Sequence, residues 1–102
     1  MTDARVLLCT APPDQAKAIA RAILEKRLAA CVNIVPGVES HYWWEGEIQS
    51  DAESLLVIKT AANKVEELTA ALPDIHPYDV PELLALPVEA GLPAYLAWLR
   101  SV

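Results

Sequence analysis

Residues 30–60 read ACVNIVPGVESHYWWEGEIQSDAESLLVIKT, and this stretch decides the fold. It divides into two extended arms joined at Glu45-Gly46. The first arm carries Val32, Ile34, Val38, Tyr42 and Trp44 on one parity, with Asn33, Glu39 and His41 among the others. The second arm ends in Leu55-Leu56-Val57-Ile58, a β-branched apolar run suited to a strand buried on both faces. Glycine at the second turn position takes a positive φ without strain, so Glu45-Gly46 fits a two-residue hairpin turn.

The arms are long for so small a chain. Fully extended, Ala30 to Glu45 spans about 50 Å at about 3.3 Å per residue. A compact domain of this size has a radius of gyration near 13 Å and a diameter of about 33 Å. Pro36-Gly37 shortens the arm by bending it, because proline cannot donate to a central ladder and glycine favours a bulge. The tip, with Tyr42, Trp43 and Trp44, is still expected to project past its own core. Exposed aromatic surface and unpaired strand edges invite a partner chain, so an obligate oligomer is expected. The alternative is a strongly twisted ribbon curled back onto its own helices.

Working outward, Arg5 to Thr10 reads as a strand ended by Ala11-Pro12-Pro13. A helix follows from Asp14 to Leu28, with Ala16, Ile19, Ala20, Ile23, Leu24 and Leu28 at helical spacing. After the hairpin a second helix runs from Ala62 to Leu72. Its stripe is Val65, Leu68 and Leu72, Asn63 with Glu66 resembles a capping box, and Pro73 closes it. The segment from His76 to Glu82 holds two prolines and is extended or looped. Leu83 to Val88 is a last strand, at a sheet edge because of Pro87. A short terminal helix aligns Leu92, Tyr95, Leu96 and Leu99. The order βαββαβ plus a helix, with right-handed crossovers, gives an α+β ferredoxin-like sandwich: four antiparallel strands with both main helices on one face. Nothing in the chain covers the other face, which apolar surface from other subunits would cover most simply.

The chain has 102 residues, enough for one domain with one modest core. Hydrophobic residues make up 54%, high for a small monomer. The net charge of −6 argues against nucleic acid, whose phosphates require a basic face, and against an anionic membrane surface. No apolar run approaches membrane-spanning length, and a soluble, cytoplasmic chain is expected. Cys9 and Cys31 both sit in strand-like apolar runs and read as buried thiols rather than a disulfide.

Several motifs resemble the CutA divalent-cation tolerance family over almost the whole of residues 1–102. They are Leu8-Cys9-Thr10-Ala11-Pro12, Leu28-Ala29-Ala30-Cys31-Val32-Asn33, Tyr42-Trp43-Trp44-Glu45-Gly46 and Leu56-Val57-Ile58-Lys59-Thr60. Two more complete the set, His76-Pro77-Tyr78-Asp79-Val80-Pro81-Glu82 and Tyr95-Leu96-Ala97-Trp98-Leu99. The resemblance implies a ferredoxin-like subunit in a tight homotrimer similar to PII-type signalling trimers, with the hairpin against a neighbour. It also implies a relation to copper and other divalent cations, with Cys9 and His76 as metal ligands. Ile75 stands where the first histidine of the family's pair would be.

The residues themselves bear several readings. An imidazole and a thiolate suit copper or zinc, but a closed site wants about four donors. His76, in its loop, is expected to be exposed, while Cys9 reads first as a small core residue. His41 reads as a surface strand residue. Glu45, Glu47, Asp51 and Glu53 either solvate the hairpin end or donate oxygen to a weak divalent site. Lys59, with Tyr78 and Glu82, is expected at a subunit cleft, either in a structural ion pair or holding a small anion. Tyr42, Trp43, Trp44 and Trp98 read as aromatic anchors of the trimer interface. Glycine-rich phosphate loops, a GxSxG elbow, HExxH and CxxC are all missing, so no enzyme is expected. The function expected is a non-enzymatic, weakly metal-binding tolerance or PII-like sensing trimer. A small-anion signalling module and a purely structural scaffold are the alternatives.

Overall fold

The computed structural model describes residues 1–102. Seven elements follow one another: β1 (Ala4–Ala11), α1 (Ala16–Glu25), β2 (Cys31–Trp44), β3 (Glu47–Ala61), α2 (Val65–Ile75), β4 (Leu84–Pro87) and α3 (Pro93–Ser101). The strands form one antiparallel sheet in the order β2-β3-β1-β4, the ferredoxin-like topology. No helix is long and apolar enough to cross a membrane.

Alternation along the central strands sorts the side chains. Leu7, Cys9 and Ala11 of β1 lie opposite Ile58, Leu56 and Ser54 of β3 on the face that α1 and α2 cover. There they join Ala16, Ile19 and Ile23 of α1 and Leu68 and Leu72 of α2 in one core cluster. Full burial of each large aliphatic side chain stabilises the fold by about 1.5–3 kcal/mol. The second face carries Val6 and Leu8 of β1, Leu55, Val57 and Lys59 of β3, and Leu84 and Leu86 of β4. Only α3 packs on β1 and β3 outside the core cluster, burying Leu99. Leu84 and Leu86 stay exposed.

The hairpin does not curl back onto the helices. At its tip Trp43 is 71% and Ile48 65% exposed. The molecule measures 44 × 25 × 23 Å, longer than a compact chain of this length. Glu45 and Gly46 take φ of 51° and 80°, the paired positive values that a type I′ hairpin turn requires. Gly37 also has a positive φ, 77°, where the β2–β3 register shifts between Val35 and Val38. That bulge has a large consequence. Val35 pairs with Leu55 and Val38 with Glu53, so one extra β2 residue turns the following side chains to the opposite face. Val32 and Ile34 therefore face the helices, while Val38, Tyr42 and Trp44 face the other way. The single parity expected along this arm is broken at Pro36-Gly37.

Helix boundaries also differ from expectation. α1 ends at Glu25 because Arg27 enters the left-handed region with φ 56°. The amide of Leu28 then bonds Ile23 O at 3.1 Å and that of Arg27 bonds Leu24 O at 2.9 Å. This is a Schellman ending formed without the usual glycine, and Leu28 packs in the core with Ile23. Leu24 is exposed rather than on the buried stripe. α2 begins at Val65 after a short 3₁₀ turn, with no side-chain cap from Asn63. Lys64 instead donates to Arg27 O at 2.6 Å, tying the start of α2 to the end of α1. Pro73 lies inside the last turn of α2, and the His76 amide closes that turn on Leu72 O at 2.9 Å.

Candidate functional site

The bulge and the 76–82 loop together build a cleft of about 530 Å³ on the second face of the sheet. Tyr42 and Trp44 of β2 and Tyr78 of the loop supply aromatic walls. Asp51 and Glu53 of β3 and Asp79 and Glu82 of the loop supply four carboxylates. No lysine, arginine or histidine lines it.

His76 holds the loop in place. It is 6% exposed, so the expected exposed imidazole is in fact buried. Its Nε2 lies 2.8 Å from Thr10 O and its Nδ1 lies 3.2 Å from the Tyr78 amide. A carbonyl can only accept and an amide only donate, so the proton sits on Nε2 and Nδ1 is the acceptor. Both nitrogens are thereby engaged. The imidazole clasps the loop to β1 and stacks at a tilt on Tyr78, ring centroids 4.6 Å apart. Tyr78 in turn donates its hydroxyl to Glu53 Oε2 at 2.6 Å.

Glu53, expected to solvate the hairpin or bind an ion weakly, is 6% exposed. Its one side-chain partner is Tyr78, and no cation lies within ion-pair distance. The field in and around the cleft is negative. Burial, then the charge of Glu53, pushes the Glu82 carboxyl above the ordinary range. Burial, then Glu82 and Glu53, pushes the Cys9 thiol up to about 12. Burial and the hydrogen bond to Glu53 raise the Tyr78 hydroxyl. The Tyr42 hydroxyl is raised chiefly by its hydrogen bond to Asp51.

The other expected site residues scatter. Cys9 is fully buried on the helix-covered face and its thiol contacts Thr10 O at 3.6 Å. Lys59 pairs in register with Val6 and Cys31, six positions along β3 from Glu53, or about 20 Å. It therefore shares no cleft with Tyr78 and Glu82 within one chain, and it forms no ion pair. Of the tryptophans only Trp44 lines the cleft. Trp43 projects from the opposite side of the hairpin, and Trp98 tilts against Tyr95 on α3 at 5.5 Å. His41 bonds Ser50 across the strands at 2.6 Å and Glu39 at 2.7 Å, on the exposed hairpin. Asp79 and the convergence of four acids escaped the sequence. The alternating Asp51 and Glu53 were the available signal, and the bulge was needed to give them neighbours.

No group of three or more histidine, cysteine, aspartate or glutamate side chains is arranged to hold a metal ion. The cleft gathers carboxylates without presenting an assembled coordination shell.

The sheet order, the two helices on one face and the long hairpin define an α+β subunit of the PII-like class. A solved structure described as a PII-like protein CutA, from Nostoc sp. PCC 7120 in apo form, superposes with a TM-score of 0.89 at 34% identity, covering 95% of this chain and 94% of that one. The divalent cation tolerance protein from Thermus thermophilus superposes with a TM-score of 0.91 at 47% identity, covering 96% of each chain. The family model described as CutA1 divalent ion tolerance protein matches residues 5–102, and the chain belongs to that family. A relative from Oryza sativa subsp. japonica, "Protein CutA 1, chloroplastic", is 50% identical over 97 residues, 94% of this chain and 55% of the relative. The chain spans about half the length of the plant and mammalian relatives it matches.

Proposed function

We propose that the chain acts as a non-enzymatic, homotrimeric divalent-cation tolerance protein that associates weakly with copper or another divalent ion. The observation that carries the cation reading is the cleft with four carboxylates and no basic side chain. Oxygen donors without a converged shell favour exchangeable association over tight chelation. Trimerisation is supported by the apolar second face of the sheet and by the exposed hairpin tip, surfaces that a monomer would leave wet. Cys9 and His76 remain the ligands implied by family resemblance. Using them would require ionising a thiol pushed up to about 12 and breaking a hydrogen bond of His76. The small-anion alternative loses support, since the cleft is lined by four carboxylates.

Calorimetric titration of Cu(II) into the wild type, Asp51→Asn with Asp79→Asn, and Cys9→Ser with His76→Ala tests this. Weakened binding in the first variant alone supports the cleft. Weakened binding in the second alone restores the thiol and imidazole as ligands. No heat with the wild type rejects the cation reading.

A further inference from the structure

Two ionic groups on the second face of β3, Glu53 and Lys59, are withdrawn from water without a counter-charge. Glu53 is nine-tenths buried with only a tyrosine hydroxyl as side-chain partner. Lys59 is the single basic residue that the register places on that face, and it is half-buried beside Val6 and Cys31. Neither belongs to any of the three ion pairs in the chain, which are Arg21 with Glu25, His41 with Glu39, and Arg100 with Asp3. A buried carboxylate without a counter-ion is costly, and so is an ammonium held against aliphatic side chains. About 20 Å of strand prevents the two from meeting within one copy.

They can meet between copies. A face bearing a lone cation at one end and an acidic cleft toward the other is complementary to a second copy displaced along it. Such contact arises either reciprocally across a two-fold axis or head to tail, and a head-to-tail interface forms a ring where its rotation closes. The trimeric reading above selects the head-to-tail arrangement. We propose that Lys59 of a neighbouring copy enters the acidic cleft and neutralises Glu53, so that each cleft is completed by the next subunit of a three-membered ring. This inference rests on the trimeric reading above and extends it to a named pair. One ammonium against four carboxylates leaves the cleft net negative, so the pair and weak cation association coexist. Burial and then the charge of Glu53 raise the Glu82 carboxyl, and the same ammonium relieves the second of these.

Charge reversal tests the pair. Wild type, Lys59→Glu, Glu53→Lys and the double variant are compared by sedimentation velocity across protein concentration, with circular dichroism recording the fold. Each single reversal sets like charges together at every interface and should weaken association by at least about tenfold. The double variant should restore association to within a few-fold of wild type, because the exchanged charges still face each other. Should either reversal fail to fold, the cycle of Lys59→Met and Glu53→Gln replaces it, and the pair requires the double loss to be smaller than the sum of the singles. A trimeric wild type with no recovery in the double variant and additive losses in the neutral cycle overturns the pair and leaves the trimer standing. A monomeric wild type overturns both.

Discussion

Replacing Tyr78 with Phe deletes one oxygen and keeps the ring that packs on His76. That oxygen donates to Glu53 Oε2 at 2.6 Å and is the only side-chain donor to a carboxylate that is 6% exposed. Hydrogen bonds to charged groups contribute about 1.5–3 kcal/mol, and a stranded buried acceptor also bears its desolvation cost. For a domain of this length the unfolding entropy makes 1 kcal/mol worth about 5 °C, so Tm should fall by about 7–14 °C. Tyr78 is only half-buried, which favours the lower end of that range. Thermal unfolding followed by circular dichroism measures it, at one protein concentration because association raises apparent stability. The loss should shrink in a Glu53→Gln background, where a neutral amide tolerates the missing donor better than a carboxylate does. A fall of less than about 2 °C, unchanged by Glu53→Gln, would refute the view that this bond secures the buried charge.

Two further outcomes follow from the negative field. Glu82 holds its proton to higher pH in the fold than its ordinary 4.5, so the folded chain binds more protons than the unfolded one above that pH. Stability therefore falls as pH rises through that window. Urea unfolding should find Glu82→Gln more stable than wild type at pH 7, the gap closing below pH 4.5; a gap that widens on acidification contradicts the sign. In a Cys31→Ser background, Cys9 at pH 8 should react with a disulfide reagent on the order of a thousandfold more slowly than a free cysteine, until the chain is unfolded. A rate near that of free cysteine would show the thiol to be accessible.

Local chemistry made much of the architecture legible. The 3.6-residue stripe of Ile19 and Ile23, the apolar run Leu55 to Ile58 and the Glu45-Gly46 turn each act over a few residues, and all appear in the fold. Helix ends were less legible, because the Schellman ending at Arg27 uses no glycine and Pro73 is tolerated in a last turn that His76 closes.

The sequence by itself determined the strand and helix order and, through the length of the hairpin arms, a chain with more apolar surface than one subunit can bury. The family motifs were also plain in it. Tertiary structure alone decided where the chemistry lies. One extra residue at Pro36-Gly37 turns Tyr42 and Trp44 to the face of Asp51 and Glu53, and the His76 clasp brings Tyr78, Asp79 and Glu82 against them. A side chain's face depends on accumulated register, and a loop's position depends on hydrogen bonds to strands far away in the chain. Neither is visible in a window of neighbouring residues, which is why His76 read as an exposed ligand and proved to be a buried fastening.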